Sequence, residues 1–332
     1  MYTKKSETLA MVTSVEDALP LEVAITVDEL LLWDDAPMPE GYTREKVVTS
    51  VIETLAKHRI NGVYGFAHTS PLDNDPGLKE ILRHWVDSGH HLGNHTHCHA
   101  CLNWVSAKNY CEDIERSEGV IGELIERAPG RYFRYSMDMS GDSAAKRGEV
   151  EDFLARKGYT NAPISAWFND FAWIVPHTRS HLNGDKESLT MLRQSYVEAA
   201  VVQLREAARA ARRVFGRDIP QIWLIHGTAI AMDTLDDILT AFKRLGVRFV
   251  SLDHAMKDVA HRAMPQVSPK FVNQLQRFCL GQGISIDRMT PSMLHAVLQA
   301  SPREGMDSIA MYEHLLRGLC ERAGGKYEWS WA

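Results

Sequence analysis

The sequence predicts an α/β fold, a parallel sheet rolled into a (β/α) barrel and followed by a helical C-terminal extension. Three observations carry that expectation. From residue 21 to about residue 254, short β-branched runs alternate with amphipathic helical stretches, the pattern of parallel strands covered by helices. Asp28, Glu29, His95, His99, Arg134, Asp170 and His226 all fall at or just beyond the ends of such runs, the rim on which barrels place their chemistry. From about residue 260 the strand-like runs stop and only helical stretches follow. Three parts are therefore expected: an N-terminal segment (1–20), the barrel (21–259) and the extension (260–332).

Taken in order, residues 21–27 (LEVAITV) are a continuous apolar run ending in Asp28 and Glu29, which reads as a buried strand delivering carboxylates. Past a Pro-rich turn, Thr43 caps a helix whose Val47, Val48, Val51, Ile52 and Leu55 share one face. Residues 62–67 form a second strand, 78–86 a helix and 91–94 a brief strand. A long helix covers 106–127 and ends at Pro129 and Gly130; 132–135 is strand-like, 143–157 helical and 161–166 a short strand. Residues 188–215 make the longest helix, 220–226 (PQIWLIH) a strand ending in histidine, 234–245 a helix and 247–252 the last strand. In the extension, Thr290 and Pro291 supply a cap and a first-turn proline. A second helix is expected over 307–322, before an aromatic tail with Tyr327, Trp329 and Trp331. The extension reads as a packing element, with a homo-oligomer contact through its helices or a lid as the other readings.

Composition narrows the partners. With 45% hydrophobic residues the 332-residue chain buries a sizeable core. A net charge of -6, without a basic block or an aromatic-interleaved Lys/Arg patch, argues against nucleic acid as the main partner. Apolar runs fall short of the ~20 residues that span a bilayer, so no membrane partner is expected. Residues 1–20 contain no continuous apolar stretch of the secretory kind, and the five cysteines (98, 101, 111, 279 and 320) lack a paired spacing. Both features predict reduced thiols and a cytoplasmic protein.

The chemistry is densest at His95–Thr96–His97–Cys98–His99, directly after Gly93 and Asn94. If the chain enters a helix there, His95 and His99 at i and i+4 project from one face and share a divalent metal ion. In the alternative, an ordinary polar loop, Thr96 caps a helix and the imidazoles are solvated. A closed zinc knot with Cys98 and Cys101 lacks the regular thiolate spacing. Asp28 and Glu29 diverge if the strand stays extended, so one faces the metal and the other the substrate. Either carboxylate with His95 and His99 makes a three-ligand site with open positions. Such an ion lowers the pKa of its water to about 7 and polarises an acyl oxygen. Hydrolysis then needs a base, for which Asp28 suits, and an acid, for which His226 suits. Arg134 is placed to orient Asp28 through a bidentate ion pair, and Asp170 to hold His226 or Arg134. Tyr135, Trp167 and Trp173 are the candidate substrate-binding residues, aromatic faces for a sugar ring, with core packing as their other reading.

In this order the residues resemble the polysaccharide deacetylases of carbohydrate esterase family four, the NodB-homology group. Thr26-Val27-Asp28-Glu29 is similar to that family's first motif, Thr-Phe-Asp-Asp, and His95 to His99 fit the second, His-Ser/Thr-x-x-His. Arg134-Tyr135-Ser136 is similar to the third, Arg-x-Pro; Asp170-Phe171 takes the place of the fourth, Asp-Trp; Leu224-Ile225-His226 matches the fifth, Leu-x-His. The resemblance implies a distorted (β/α) barrel and a metal of the zinc type. It implies removal of an N- or O-acetyl group from a sugar, with Asp28 as base, Glu29, His95 and His99 as ligands and His226 as acid. Three positions depart from the pattern: Glu29 for aspartate, Ser136 for proline and Phe171 for tryptophan. These departures and the absence of an export signal point to a small soluble amide or ester rather than a polymer. The rival readings are a C–N hydrolase on a non-sugar amide and a catalytically silent ligand-binding barrel.

Overall fold

The computed structural model describes residues 21–285 and 317–326. Its elements run β1 (Glu22–Asp28), α1 (Arg44–Lys57), β2 (Tyr64–Ala67), α2 (Pro71–Asn74), α3 (Lys79–Asp87), β3 (His91–Asn94) and α4 (Ala107–Ile125). They continue with β4 (Tyr132–Phe133), α5 (Ala144–Arg156), β5 (Thr160–Asn161), α6 (Ile174–Leu182), α7 (Lys186–Phe215), β6 (Gln221–His226) and α8 (Ala229–Arg244). The last are β7 (Arg248–Val250), α9 (Leu252–Ala255), α10 (Val259–Arg262) and α11 (Gln274–Gly281).

All strand pairs are parallel, in the order β5-β4-β3-β2-β1-β6, with β7 beside the start of β1. Past β5, Ala166 bridges Trp223 of β6, so the sheet curls round and meets itself through one thin seam. The fold is thus a distorted (β/α) barrel. The seam is thin for a local reason. Pro163 has no N–H to give a ladder, so the strand expected over 161–166 shrinks to two residues of β5 and a single bridge.

The register positions the site. Asp28 stands beside Phe66 on one side and His226 on the other. Asn94 stands between Ala67 and Phe133. His68, His95 and Arg134 each follow a strand end by one residue, so all share one rim with Asp28 and His226. At that rim Gly227 approaches the chain so closely that a Cβ would lie 3.0 Å from the Glu29 carbonyl oxygen.

Helix chemistry follows the sequence. Thr43 caps α1, and its Val47, Val48, Val51, Ile52 and Leu55 are buried. In α7, alanines 199, 200, 207, 208, 210 and 211 are buried, small side chains that let a 30-residue helix lie close to the barrel. Helix α8 begins five residues before the expected position 234, because Thr228 accepts from the Ala231 N–H and caps it there. The extension packs back on the barrel: Leu275 and Cys279 of α11, and Cys320, join the main apolar cluster. Residues 317–322 are helical, and the following turn donates the Lys326 N–H to the Trp104 carbonyl, 3.1 Å away. The helix expected from Thr290, most of that over 307–322 and the aromatic tail lie outside the described residues. Among the described residues no helix is long and apolar enough to cross a membrane.

Candidate active site

Residues 95–99 do not form the helix that the i, i+4 spacing suggested. Thr96 and His99 have φ values of 65° and 54°, and the Asn94 side chain accepts the Thr96 N–H at 2.8 Å. Asp113 of α4 accepts the N–H groups of His97 (3.2 Å) and Cys98 (2.9 Å). A loop braced in this way brings His95 and His99 together, with ring centroids 4.9 Å apart. His97 turns away, its Nδ1 bonded to Thr69 Oγ1 at 2.8 Å and its Nε2 to Asp73 at 3.1 Å. The middle imidazole is a brace rather than a ligand.

Asp28 and Glu29 also differ from the extended-strand expectation. Glu29 has φ 58°, so both carboxylates reach the same hollow. His99 Nε2 lies 2.9 Å and His95 Nε2 3.2 Å from Glu29 Oε1, and Asp28 Oδ2 lies 3.7 Å from His95 Nε2. His68 touches the other Glu29 oxygen through Nδ1. All of these groups are buried.

Charge explains what such a cluster wants. Burial opposes ionisation of Glu29, yet the charges of His68 and His99 beside it hold its carboxyl well below the usual range. Burial likewise works against a charge on His95, but Glu29 and Asp28 outweigh it and raise its pKa. For His99 burial prevails and the pKa falls. Neither Glu29 oxygen has a geometrically sound hydrogen bond, and an ionised carboxylate so buried costs several kcal/mol without a cation. His95 points Nδ1 at the Arg134 carbonyl, 2.8 Å away, which leaves Nε2 to face Glu29, the arrangement that orients a metal-binding imidazole. Nε2 of both histidines and a Glu29 oxygen lie within 4.8 Å of one another. This donor set fits a divalent ion.

Around it stand two ion pairs. Arg134, fully buried, donates Nη1 to Asp28 Oδ1 at 2.6 Å and to Thr26 Oγ1 at 2.8 Å, and Nε to the Ala162 carbonyl at 3.0 Å. The contact with Asp28 is single, not the bidentate pair expected, because Nε is taken by Ala162 and Nη2 points elsewhere without a partner. Asp28 keeps Oδ2 towards the histidines. At the end of the neighbouring strand β6, His226 Nδ1 lies 2.7 Å from Asp170 Oδ1, and Asp170 Oδ2 accepts the His226 N–H at 2.8 Å. Burial disfavours the imidazolium, but Asp170 outweighs it and lifts the His226 pKa to about 9. Asp170 therefore serves His226 rather than Arg134.

Phe171 in place of an indole has a visible compensation. Trp167 Nε1 donates to Asp170 Oδ1 at 2.9 Å, so the donor comes from three residues earlier in the chain. Trp167 lines the same cleft as Asp28, His95, His99 and His226. The two other aromatic candidates do not reach it. Trp173 is buried with Phe168 and Tyr196 and donates Nε1 to Ser195. Tyr135 is buried against Tyr110 and Phe133. Both are core: they are buried among aromatic rings, and neither lines the cleft.

Two residues of the site had no motif to announce them. His68 follows the end of β2 by one residue, as His95 follows β3, and that position was its only signal. Asp138, also buried and in the cleft wall, follows the left-handed Met137 in a turn (Ser136–Asp138) just after the expected strand 132–135.

The family model for polysaccharide deacetylase matches residues 27–148. Over that stretch, a little over a third of the chain, the sequence is similar to the polysaccharide deacetylase family. The matched region holds Asp28, Glu29, the loop with His95 and His99, and Arg134, while Asp170 and His226 lie beyond it. No curated protein matches the chain. Among solved structures it is similar to a family 4 carbohydrate esterase, PdaA of Bacillus subtilis (21% identity, 73% of this chain and 85% of that one, TM-score 0.42). It is also similar to a family 4 acetyl xylan esterase from Clostridium thermocellum in complex with a cobalt ion (17%, 80% and 94%, 0.45). A third is a family 4 pseudoenzyme from Bacillus anthracis (13%, 74% and 72%, 0.46).

Proposed function

We propose that this chain is a metal-dependent hydrolase that removes an acetyl group from an N- or O-acetylated sugar or a related small molecule. The observation that carries the reading is the buried Glu29 carboxylate, short of donors and faced by the Nε2 atoms of His95 and His99. Glu29, His95 and His99 would hold a divalent ion, zinc by the nitrogen-and-oxygen donor set. When bound, such an ion polarises the acyl oxygen and acidifies water.

The chain's own groups do the rest. Arg134 fixes Asp28 through Oδ1, so Oδ2 is free to take a proton from the attacking water. Asp170 ties down Nδ1 of His226, which leaves Nε2 to give its proton to the departing nitrogen or oxygen. Trp167 offers its ring to the substrate from the cleft wall. His68 contacts the far oxygen of Glu29 and so sets the rotation of that longer carboxylate.

The test is a panel of small N-acetyl and O-acetyl compounds offered to zinc-loaded protein, with acetate release as the readout. Turnover of at least one, abolished by a chelator and restored by the ion, is expected. A fully loaded protein that releases acetate from none of them would leave a ligand-binding barrel as the better account.

A further inference from the structure

Chain that comes after the barrel helps to line the cleft. The cleft is narrow, about 20 Å³, and is lined by Asp28, His95, His99 and His226 together with Trp167, Phe271 and Asn273. The Phe271 ring meets Trp167 edge-on at 5.4 Å. A groove that accepts the interior of a sugar chain must be open at both ends, and here Phe271 and Asn273 take up part of its lining.

The roof is anchored rather than laid loosely. Asp138 Oδ2 accepts the Gln274 N–H at 2.5 Å and lies 3.6 Å from Arg277 Nη2, and Arg277 also donates to the Asp138 carbonyl. Both partners are buried, at 0% and 4% exposure, so the latch is shielded from the solvent that weakens exposed pairs. Arg277 Nη1 reaches the Val272 carbonyl at 2.9 Å, which holds the roof's own bend. Gln274 Nε2 bonds the carbonyls of Ala260 (3.1 Å) and Ala263 (3.2 Å), tying the roof to the chain that leaves the barrel. Asn273 and Gln276 form a reciprocal cap that starts α11 at this point. On the barrel side, Met137 and Asp138 have φ values of 57° and 53°. Two consecutive non-glycine residues in that region are costly, and the turn they make aims the Asp138 carboxylate at the roof.

We propose that residues 271–277 are a fixed roof, latched by Asp138, that restricts the site to acetyl groups on small molecules or chain ends and excludes the interior of a polymer. The proposal deepens the hydrolase reading and rests on it for the nature of the cargo. Phe271 is the specificity-determining residue, and Asp138 is a positioning residue that acts through Arg277 and Gln274.

Binding, not turnover, tests it. Calorimetry on zinc-loaded protein compares N-acetylglucosamine with penta-N-acetylchitopentaose, in wild type and in Phe271→Ala. The expected result is binding of the pentaose at least tenfold stronger in Phe271→Ala, with the pentaose-to-monosaccharide ratio rising by the same factor. Asp138→Asn keeps the side chain's size and weakens the latch. Faster hydrogen exchange of the α11 amides and a smaller rise in the same ratio are expected there, a pairing that a purely structural loss would not give. No gain of pentaose binding on opening the roof would overturn the proposal. Absence of acetate release from any compound, with the binding ratio still shifting, would instead count against the hydrolase reading alone.

Discussion

Two clusters in this molecule have the same composition and opposite condition. At the barrel rim Glu29 faces His95 and His99; on the flank Asp233 of α8 faces His177 and His181 of α6, and each set has its donor atoms within 4.8 Å. On the flank Arg193 Nη2 sits 2.5 Å from Asp233 Oδ2, and the Tyr42 hydroxyl donates to both oxygens at 3.0 Å. His177 Nε2 lies at 3.2 Å. That carboxylate already has a cation and hydrogen-bond donors. At the rim, among the described residues, no arginine or lysine meets Glu29, and Arg134 is spent on Asp28. A histidine-and-carboxylate set calls for a metal only where the protein has not supplied the cation itself.

The largest effect expected from this contrast is on metal content. Wild type should hold about one divalent ion per chain, and His95→Ala or His99→Ala should each remove most of it, by elemental analysis after dialysis. His68→Ala keeps all three donors and disturbs only the rotation of Glu29, so affinity should fall by the 10–100-fold typical of an outer partner. A His95→Ala, His99→Ala double variant with full metal occupancy would show that the rim is not the site.

Next come the two ion pairs. Asp28→Asn and His226→Ala should each lower the chemical step by about 10²–10⁴-fold, the usual range for positioned proton-transfer groups, while the ion stays bound. Wild-type turnover by Asp28→Asn would rule out that base. The pH profile tests the acid separately. His226 must carry its proton to act, and Asp170 raises its pKa to about 9. Activity should therefore persist through neutral pH and fall as pH rises towards about 9, or at lower pH where a bound cation repels the imidazolium. Asp170→Asn removes the charge that raises the pKa and should move this alkaline limb down; an unmoved limb would mean that another group titrates there.

How far the sequence led can be judged from the same residues. The rim was legible because parallel strands must carry apolar runs, and Asp28, His95, Arg134 and His226 all sit where those runs stop. The route by which they converge was not legible. Spacing suggested a helix for His95 and His99, but left-handed Thr96 and His99 make a loop, and left-handed Glu29 brings together two carboxylates that a strand would part. Trp167 and Trp173 flank Asp170 at equal sequence distance, and only the packing shows that one faces the cleft and the other the core. Asp138 and Phe271 are linked by a contact across more than a hundred residues of chain through Arg277 and Gln274, which no local pattern announces.

The smallest expected effect bears most directly on the comparison of the two clusters. If the flank lacks an ion because Arg193 already neutralises Asp233, removing that guanidinium should create a need where none existed. Arg193 is half-exposed (46%), so Arg193→Ala should cost on the order of 1 kcal/mol of stability, a loss small enough to leave the fold intact. Burial and the neighbouring His177 keep the His181 pKa below its ordinary value, so its lone pair is available at neutral pH. His177 and His181 at i and i+4 on a true helix then present two nitrogens to the same carboxylate. The variant should bind a second divalent ion, weakly, because Tyr42 still donates to Asp233. Metal content near two per chain at saturating zinc, returning to one in Arg193→Ala with His181→Ala, is the expected outcome. Two ions in wild type would show that a guanidinium at 2.5 Å does not exclude a metal, and the distinction between the clusters would fall. One ion in Arg193→Ala would show that charge vacancy alone does not make a site, and that the rim depends as much on the outward hydrogen bond from His95 to the Arg134 carbonyl.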